Sequence, residues 1–364
     1  MRLIIHNEPE QGSAQGLDDT IFAARGLLAA DFPEANLPQV RELAERLKAS
    51  TPPFFLGQLS ARQMADLVGD LFRFIVERDG DVAVRFLPLE GNRSLLLTNT
   101  PDAPYLVHSV QTCLVRRQIP FQVVCHPILA VRRKGGRIDA IGGPDGDGKT
   151  ESLIVIRLEA QPKNGFEPLE AALREVLGDV LTVHRDHKAL AGKLRELARS
   201  VGDRREKDFL QWLQNGQFIP FSYQVLDIAP DGEAGALTVR PVAGTARGLP
   251  ADLQAGAGPG SCPLADLPAA QQERLLREQP VVVEVIDRPS PILRDDKLYY
   301  IGHRERDGEA WREHAFLGLF SKQSTEELTS SIPALRRRIE NAMERLAIPR
   351  DCHDWRKTVE ILNT

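Results

Sequence analysis

The chain has 364 residues, enough for two or three domains, and its 42% hydrophobic and 27% charged residues describe a globular protein and not a disordered one. No apolar run approaches the roughly eighteen residues of a membrane span. A net charge of -5, from 46 Lys and Arg against 51 Asp and Glu, gives the chain as a whole no electrostatic ground for binding nucleic acid. Cys113, Cys125, Cys262 and Cys352 stand far apart without a CxxC pair, which argues against a disulfide framework or a zinc site and for reduced thiols in the cytoplasm.

The opening MRLIIHNEPEQG is too short and too acidic for a signal peptide. Three amphipathic helices are then expected. Asp18 or Asp19 would cap the first, over Thr20 to Leu28. Leu37-Pro38 opens the second, with Val40, Leu43, Ala44 and Leu47 inward. Ser60 caps the third, with Met64, Leu67, Val68, Leu71, Phe72 and Ile75 on one face. At Gly80 the period changes to two. Strands are expected over Val82 to Phe86 and Ser94 to Asn99, followed by a turn at Pro101 to Pro104 and a helix from Tyr105 to Gln118. Phe121 to Arg133 reads as one long strand, Gly135-Gly136 as a hairpin signal and Arg137 to Ile141 as the return. Gly142 to Thr150 reads as a loop, Ser152 to Glu159 as a strand and Pro168 to Val180 as a helix. This order predicts a ferredoxin-like α/β sandwich with embellishments.

Two charged helices, Ala189 to Val201 and Arg204 to Leu213, form an expected connector. Strands follow at Phe218 to Ile228, Ala236 to Pro241, Gln279 to Arg288, Lys297 to Arg306 and Trp311 to Phe320, the last two joined by the glycine-containing hairpin turn Arg306-Asp307-Gly308-Glu309, with a mobile loop over Leu249 to Leu267. A helix runs from Ser331-Ile332-Pro333 to Leu346. The last one, from Asp354, reaches Thr364 without a stop signal, which is the expectation for a piece of something longer. The resulting division is a helical segment at 1–79, a first sandwich at 80–186, a helical connector at 187–216, a second β-rich domain at 217–325 and C-terminal helices at 326–364.

Gly143 to Thr150 spells the phosphate-loop pattern GxxxxGK[ST], with Lys149 in the lysine position. The strand-like alternation after it lacks the helix that such a loop needs, and Asp145 and Asp147 would repel phosphate. His184-Arg185-Asp186-His187 lacks further metal ligands and reads as solvated histidines on a turn. Cys125 and His126, adjacent on a strand, point to opposite faces and cannot form a nucleophile–base pair. Arg336-Arg337-Arg338 reads as a solvated helix face, and Trp311 and Trp355 as packing anchors. No catalytic or metal set emerges. The most informative stretch joins a strand to a helix: Asn99, Thr100, Asp102, Ala103, Pro104 and Tyr105. A helix start of this kind offers free N–H groups to a small carboxylate, while spacing alone favours the simpler role, Asp102 capping its own helix.

Tyr105-Leu106-Val107-His108-Ser109-Val110 and His126-Pro127-Ile128-Leu129-Ala130-Val131-Arg132-Arg133 resemble the N-terminal region of the large bacterial NAD-specific glutamate dehydrogenases. Further segments resemble it in order: Asp208 to Leu213 with Phe218 to Tyr223, Leu298 to Gly302, Phe316 to Phe320, Ile332 to Arg338 and His353 to Thr364. The resemblance implies tandem ACT-like βαββαβ sandwiches, an α/β (α+β) fold, that serve regulation and assembly. It implies that NAD belongs to dehydrogenase domains C-terminal to this region and that this chain holds no cofactor and is inactive alone. The partners implied are those domains, further copies of the chain and an amino-acid effector. Asp102-Ala103-Pro104-Tyr105-Leu106-Val107 also resembles the ACT ligand loop, Asp-x-Pro-Gly-Leu-Leu, with Tyr105 in place of the glycine and His108 where the family commonly has Asp. A phenol there would fill the ligand's space or point away. Two other readings stand beside it: an interaction module without a ligand, in which Tyr105 plugs the turn, and a nucleotide-binding protein using the 143–150 loop.

Overall fold

A computed structural model describes residues 14–326 apart from 53–54, 56–58, 90, 135–136, 161, 163, 232–235 and 251–259, together with 333, 343–345, 352, 355 and 357. The chain divides into two compact units, residues 1–181 with 291–294 and residues 182–290 with 295–364. The expected hairpin glycines 135–136, the basic run 336–338 and most of the C-terminal helices lie outside the described residues.

The first unit begins with α1 (Ala14–Asp31), α2 (Leu37–Ser50) and α3 (Ala61–Val76). Asp18 and Asp19 fall inside α1 and so do not cap it. Ser60 does cap α3: its hydroxyl accepts from Gln63 N while the Gln63 side chain accepts from Ser60 N, a reciprocal capping box. The apolar stripes of the three helices share one core with Leu95, Leu97, Leu129, Val131, Leu153 and Val155 of the sheet. That sheet comprises β1 (Ala83–Pro88), β2 (Ser94–Pro101), β3 (Phe121–Cys125), β4 (Ile128–Lys134), β5 (Arg137–Gly142) and β6 (Lys149–Leu158), with α4 (Leu106–Arg116) between β2 and β3.

All strand pairs are antiparallel, in the order β1-β2-β6-β4-β5, with β3 beside β6 in line with β4. The single strand expected over 121–133 is thus two strands. Pro127 has no N–H to give to the ladder, and its carbonyl instead accepts from Leu153 N. The β2–α4–β4 crossover with β6 between its strands is the split βαβ unit of a ferredoxin-like sheet. The strand on the far side of β2 is β1, which precedes the unit in sequence. Alternation turns Leu96, Ile154 and Ile156 away from the α1–α3 core. The buried stripe of α4, Leu106, Val110 and Leu114, also lies outside that core. Glu151, 2% exposed, ties α3 to the sheet: it accepts from Arg78 at 2.9 Å and Arg133 at 3.0 Å, and Arg133 also donates to Ile75 O, a carbonyl in the last turn of α3.

The helix expected to stop at Val180 runs on as α5 (Glu167–Ser200), which contributes to both units. His184 and His187 therefore lie on a helix and not on a turn. Their rings stack at 5.3 Å, and His187 Nδ1 lies 2.6 Å from the His184 carbonyl.

The second unit adds α6 (Arg204–Trp212), a π-turn (Leu213–Gln217) and the strands β7 (Phe218–Asp231), β8 (Ala236–Pro241), β9 (Arg247–Gly248), β10 (Cys262–Pro263), β11 (Val281–Pro289), β12 (Lys297–Asp307) and β13 (Ala310–Phe320). They form a second antiparallel sheet in the order β10-β8-β7-β13-β12-β11. It is joined mainly by hairpins, with α7 (Ala269–Leu275) between β10 and β11, and so it is β-rich without repeating the βαββαβ order. Gly308, at φ 63, makes the tight β12–β13 turn that the sequence announces.

One face of this sheet packs Tyr223, Val225, Ile301 and Phe316 against Leu190, Leu194 and Leu197 of α5 and Phe209 and Leu210 of α6. The other gathers Leu226, Ile228, Val239 and Trp311 with Leu264, Leu267 and Leu275. Within the expected mobile loop at 249–267, Leu249, Leu264 and Leu267 are buried, while most of the other described residues are exposed.

Within the first face, Tyr223 Oη and His314 Nδ1 lie 2.8 Å apart. Burial pulls the His314 imidazole below its ordinary value and pushes the Tyr223 phenol up to about 12, so the phenol donates to a neutral ring. Protonating His314 removes that acceptor. A histidine with a depressed folded-state pKa takes up its proton more readily when unfolded, so this stabilisation is present above about pH 6.5 and is lost as the pH falls through the folded value. Acidification from about pH 7.5 to 5.5 is expected to lower the urea midpoint of the second unit. His314→Gln is expected to flatten that slope in tryptophan-monitored unfolding, and an unchanged slope would count against His314 as its source.

Candidate functional site

The strand–turn–helix at β2 and α4 carries the candidate site. Tyr105 is the N-cap residue of α4 with φ 74, the left-handed conformation suited to glycine. The resemblance puts glycine at this position in the usual ligand loop, and the backbone here keeps the glycine-like geometry under a tyrosine. The Tyr105 side chain is 37% exposed and so does not fully bury itself in the turn. It supplies no side-chain cap to α4, and Asp102 is not the cap residue. The first amides of α4 thus lack the side-chain acceptor that an ordinary N-cap provides.

The six expected residues do not share one surface. Asn99 and Thr100 are both buried, at 0% and 1%, but as strand neighbours they point to opposite faces. Asn99 faces the α1–α3 core with Leu97. Its Nδ2 donates to Ser152 O at 3.4 Å, and its Oδ1 has no hydrogen-bond partner among the described residues. Thr100 lies on the other face opposite Ser152, and its Oγ1 is likewise without a partner among the described residues. Asp102 N donates to Thr150 O at 3.0 Å. Ala103 is buried and Pro104 is exposed.

Two residues join this polar corner that the motif reading left out, Ser152 and His126. Ser152 is fully buried, and its Oγ lies 2.7 Å from His126 Nε2. Burial lowers the His126 pKa while the charge of Asp102 works against the shift. The signal for Ser152 was present in sequence, as a small polar residue leading an otherwise apolar strand. The signal for His126 was not, because its partner is 26 residues away. A buried hydroxyl, a histidine, a carboxylate and uncapped helix amides are donors and acceptors of the kind that a small zwitterion needs.

The other candidates resolve plainly. The 143–150 stretch is strand–turn–strand. Lys149 opens β6 opposite Val131, Gly146 N closes a turn on Gly143 O at 2.8 Å, and Asp147 pairs with Arg132 at 2.6 Å. With no helix start to aim amides at phosphate, the nucleotide reading through Lys149 is overturned. Cys125 sits in the helix-covered core with its thiol pushed up to about 12 by burial, a packing residue with no reactive thiolate. No group of three or more His, Cys, Asp or Glu positioned for a metal occurs among the described residues. No described helix is long and apolar enough to cross a membrane.

Residues 56–173 match the glutamate dehydrogenase ACT1 domain family, a span that includes α3, the whole first sheet and the 99–105 turn. The chain is 27% identical over 365 residues to the NAD-specific glutamate dehydrogenase of Pseudomonas aeruginosa, covering 92% of this chain and 22% of that protein. It is 26% identical over 387 residues to the NAD-specific glutamate dehydrogenase of Halomonas elongata, covering 90% of this chain and 23% of that protein. The chain therefore spans less than a quarter of the length of these relatives. The first unit thus contains the stretch that matches the glutamate dehydrogenase ACT1 domain, and across nine-tenths of its length the chain is similar to two NAD-specific glutamate dehydrogenases.

Proposed function

We propose that this chain is a non-catalytic regulatory and assembly region of a large NAD-dependent glutamate dehydrogenase. In that setting the parent reaction is oxidative deamination of L-glutamate to 2-oxoglutarate, carried out with NAD by dehydrogenase domains outside this chain in the cytoplasm. Those domains and further copies of the chain are its partners. The observation that carries the reading is the ACT1 match coinciding with a strand–turn–helix whose cap residue holds the glycine conformation without capping the helix. An amino-acid effector would sit at the turn from Thr100 to Tyr105, its carboxylate on the first amides of α4 and its ammonium group beside Asp102. Occupancy would act by favouring one packing of α4 over another, to the extent that the effector binds the two states differently.

The test is a melting screen of the chain with each free amino acid, read by calorimetry. A ligand at about a hundred times its Kd adds about 2.7 kcal/mol to the stability of the form it binds. One or a few amino acids are expected to raise the melting temperature of the first unit, and Asp102→Ala to abolish the rise. If none of them moves the transition, the effector reading fails and the ligand-free interaction module takes its place.

A further inference from the structure

In the second unit, the C-terminal turns of α5 meet α6 and the π-turn that follows it. The chain reverses there through Asn215, at φ -75 and ψ 28, and Gly216, at φ 87. The reversal borders an open cleft of about 380 Å³ lined by Arg195, Ala198, Arg199, Gln211, Gln214 and Asn215. A cleft of this size accommodates a small metabolite.

Both arginines are exposed. Some helical arginines of this protein find a carboxylate one turn back, as Arg46 does in Glu42 at 2.6 Å and Arg174 in Glu170 at 2.8 Å. One turn back from Arg195 is Ala191, and one turn back from Arg199 is Arg195 itself. Glu196, the acidic residue between them, is engaged by Lys193 at 2.7 Å. Neither arginine makes an ion pair or hydrogen bond among the described residues, and no carboxylate lines the cleft.

Like charges one helical turn apart repel, and apart from the C-terminal end of the α5 dipole, which favours Arg199 in its last turn, no carboxylate among the described residues offsets the pair. Three side-chain amides face it, each able to donate as well as accept. Two guanidinium forks and a set of amide donors suit an oxyanion, since guanidinium binds carboxylate or phosphate through two parallel hydrogen bonds. We propose that the cleft between α5 and the π-turn is a binding site for a small anion bearing carboxylate or phosphate groups. It is separate from the turn at Thr100 to Tyr105.

The experiment is calorimetric titration of the chain at fixed ionic strength with inorganic phosphate and, separately, with succinate. Alongside it, the side-chain amide resonances of Gln211, Gln214 and Asn215 are followed by NMR. Saturable binding by at least one anion is expected, with those amides shifting on the same isotherm. Tighter binding of phosphate would identify a phosphorylated ligand, and tighter binding of succinate a dicarboxylate. The double variant Arg195→Gln, Arg199→Gln is expected to weaken binding about tenfold or more, equivalent to about 1.4 kcal/mol. The charge-matched double variant Arg240→Gln, Arg312→Gln should leave it within about twofold, because those arginines already pair with Asp231 and Asp227. Three results would overturn the site: no saturation by either anion below about 10 mM, equal weakening by both double variants, or amide resonances that stay still while heat is released. The amide measurement uses the unaltered chain and decides the matter even if the arginine variants fold poorly.

Discussion

Arg304→Met is expected to destabilise the second unit by about 3–5 kcal/mol, the usual result of removing one member of a buried ion pair. Arg304 and Glu313 face each other across β12 and β13 with side chains 1% and 0% exposed, Nε to Oε2 at 2.8 Å. Tyr300 donates its hydroxyl to the other carboxylate oxygen, Arg304 also donates to the Arg274 carbonyl, and the Arg274 guanidinium lies 4.5 Å from the centre of the Tyr300 ring. Gly302 makes room for this arrangement, since a Cβ there would meet Glu313 Oε1 at 2.4 Å. Burial pushes the Glu313 carboxyl above its ordinary value despite the arginine, so desolvation outweighs attraction at this carboxylate. Losing Arg304 strands the carboxylate. The paired replacement Arg304→Met, Glu313→Leu is expected to recover most of the loss, because neither charge then remains to be desolvated. The measurement is urea unfolding followed by tryptophan fluorescence. All three tryptophans, Trp212, Trp311 and Trp355, lie in the second unit, so the signal reports that unit alone. A double variant no more stable than Arg304→Met would show that the pair contributes by shape and not by charge.

Gly248→Ala is expected to cost about 3 kcal/mol or more, against about 1–2 for Gly244→Ala. Both glycines have left-handed backbones, at φ 76 and φ 75, so the conformational penalty for an added Cβ is shared. Their surroundings differ. A Cβ at Gly244 meets nothing within 4 Å, whereas one at Gly248 lies 2.1 Å from Phe221 O and 2.9 Å from Phe221 C.

The Phe221 carbonyl has little freedom to retreat. The β7–β13 register skips Phe221, pairing Ser222 with Leu317 and Pro220 with Gly318. This bulge accommodates Pro220, which has no N–H for the ladder, and releases Phe221 O to accept from Leu249 N at 2.9 Å. Closing the distance for an alanine means breaking that bond or shifting β7, to which β8, β9 and β13 are all hydrogen-bonded. Tryptophan-monitored urea midpoints of the two variants separate the steric cost from the conformational one. Equal midpoints would mean that β9 yields without cost.

Local signals in the sequence proved accurate where the chain decides its own geometry. The Ser60–Gln63 capping box, the Leu37-Pro38 helix start and the Asp307-Gly308 turn depend on residues within a few positions of each other. The same holds for the failure of the 143–150 motif, since the alternation of Ser152 to Leu158 already excluded a following helix. The expected break at 181–188 was an error of a different kind. No glycine or proline interrupts Asp179 to Ala191, and the polar His184 to His187 stretch marks an exposed part of a continuous helix. The strand break at His126-Pro127 was announced by a proline whose consequence depends on which strands lie beside it.

Composition, period and turn chemistry were enough to determine the α/β class, most of the elements and the strand–turn–helix of the candidate site, because these follow from side-chain spacing along one segment. Tertiary structure alone decided that Asn99 and Thr100 part company across the sheet, that Ser152 and His126 join the site, and that Arg304 and Glu313 are buried together. Each of these depends on which distant strand supplies the neighbour and how deeply the pair is shielded from water, and a linear pattern carries neither quantity.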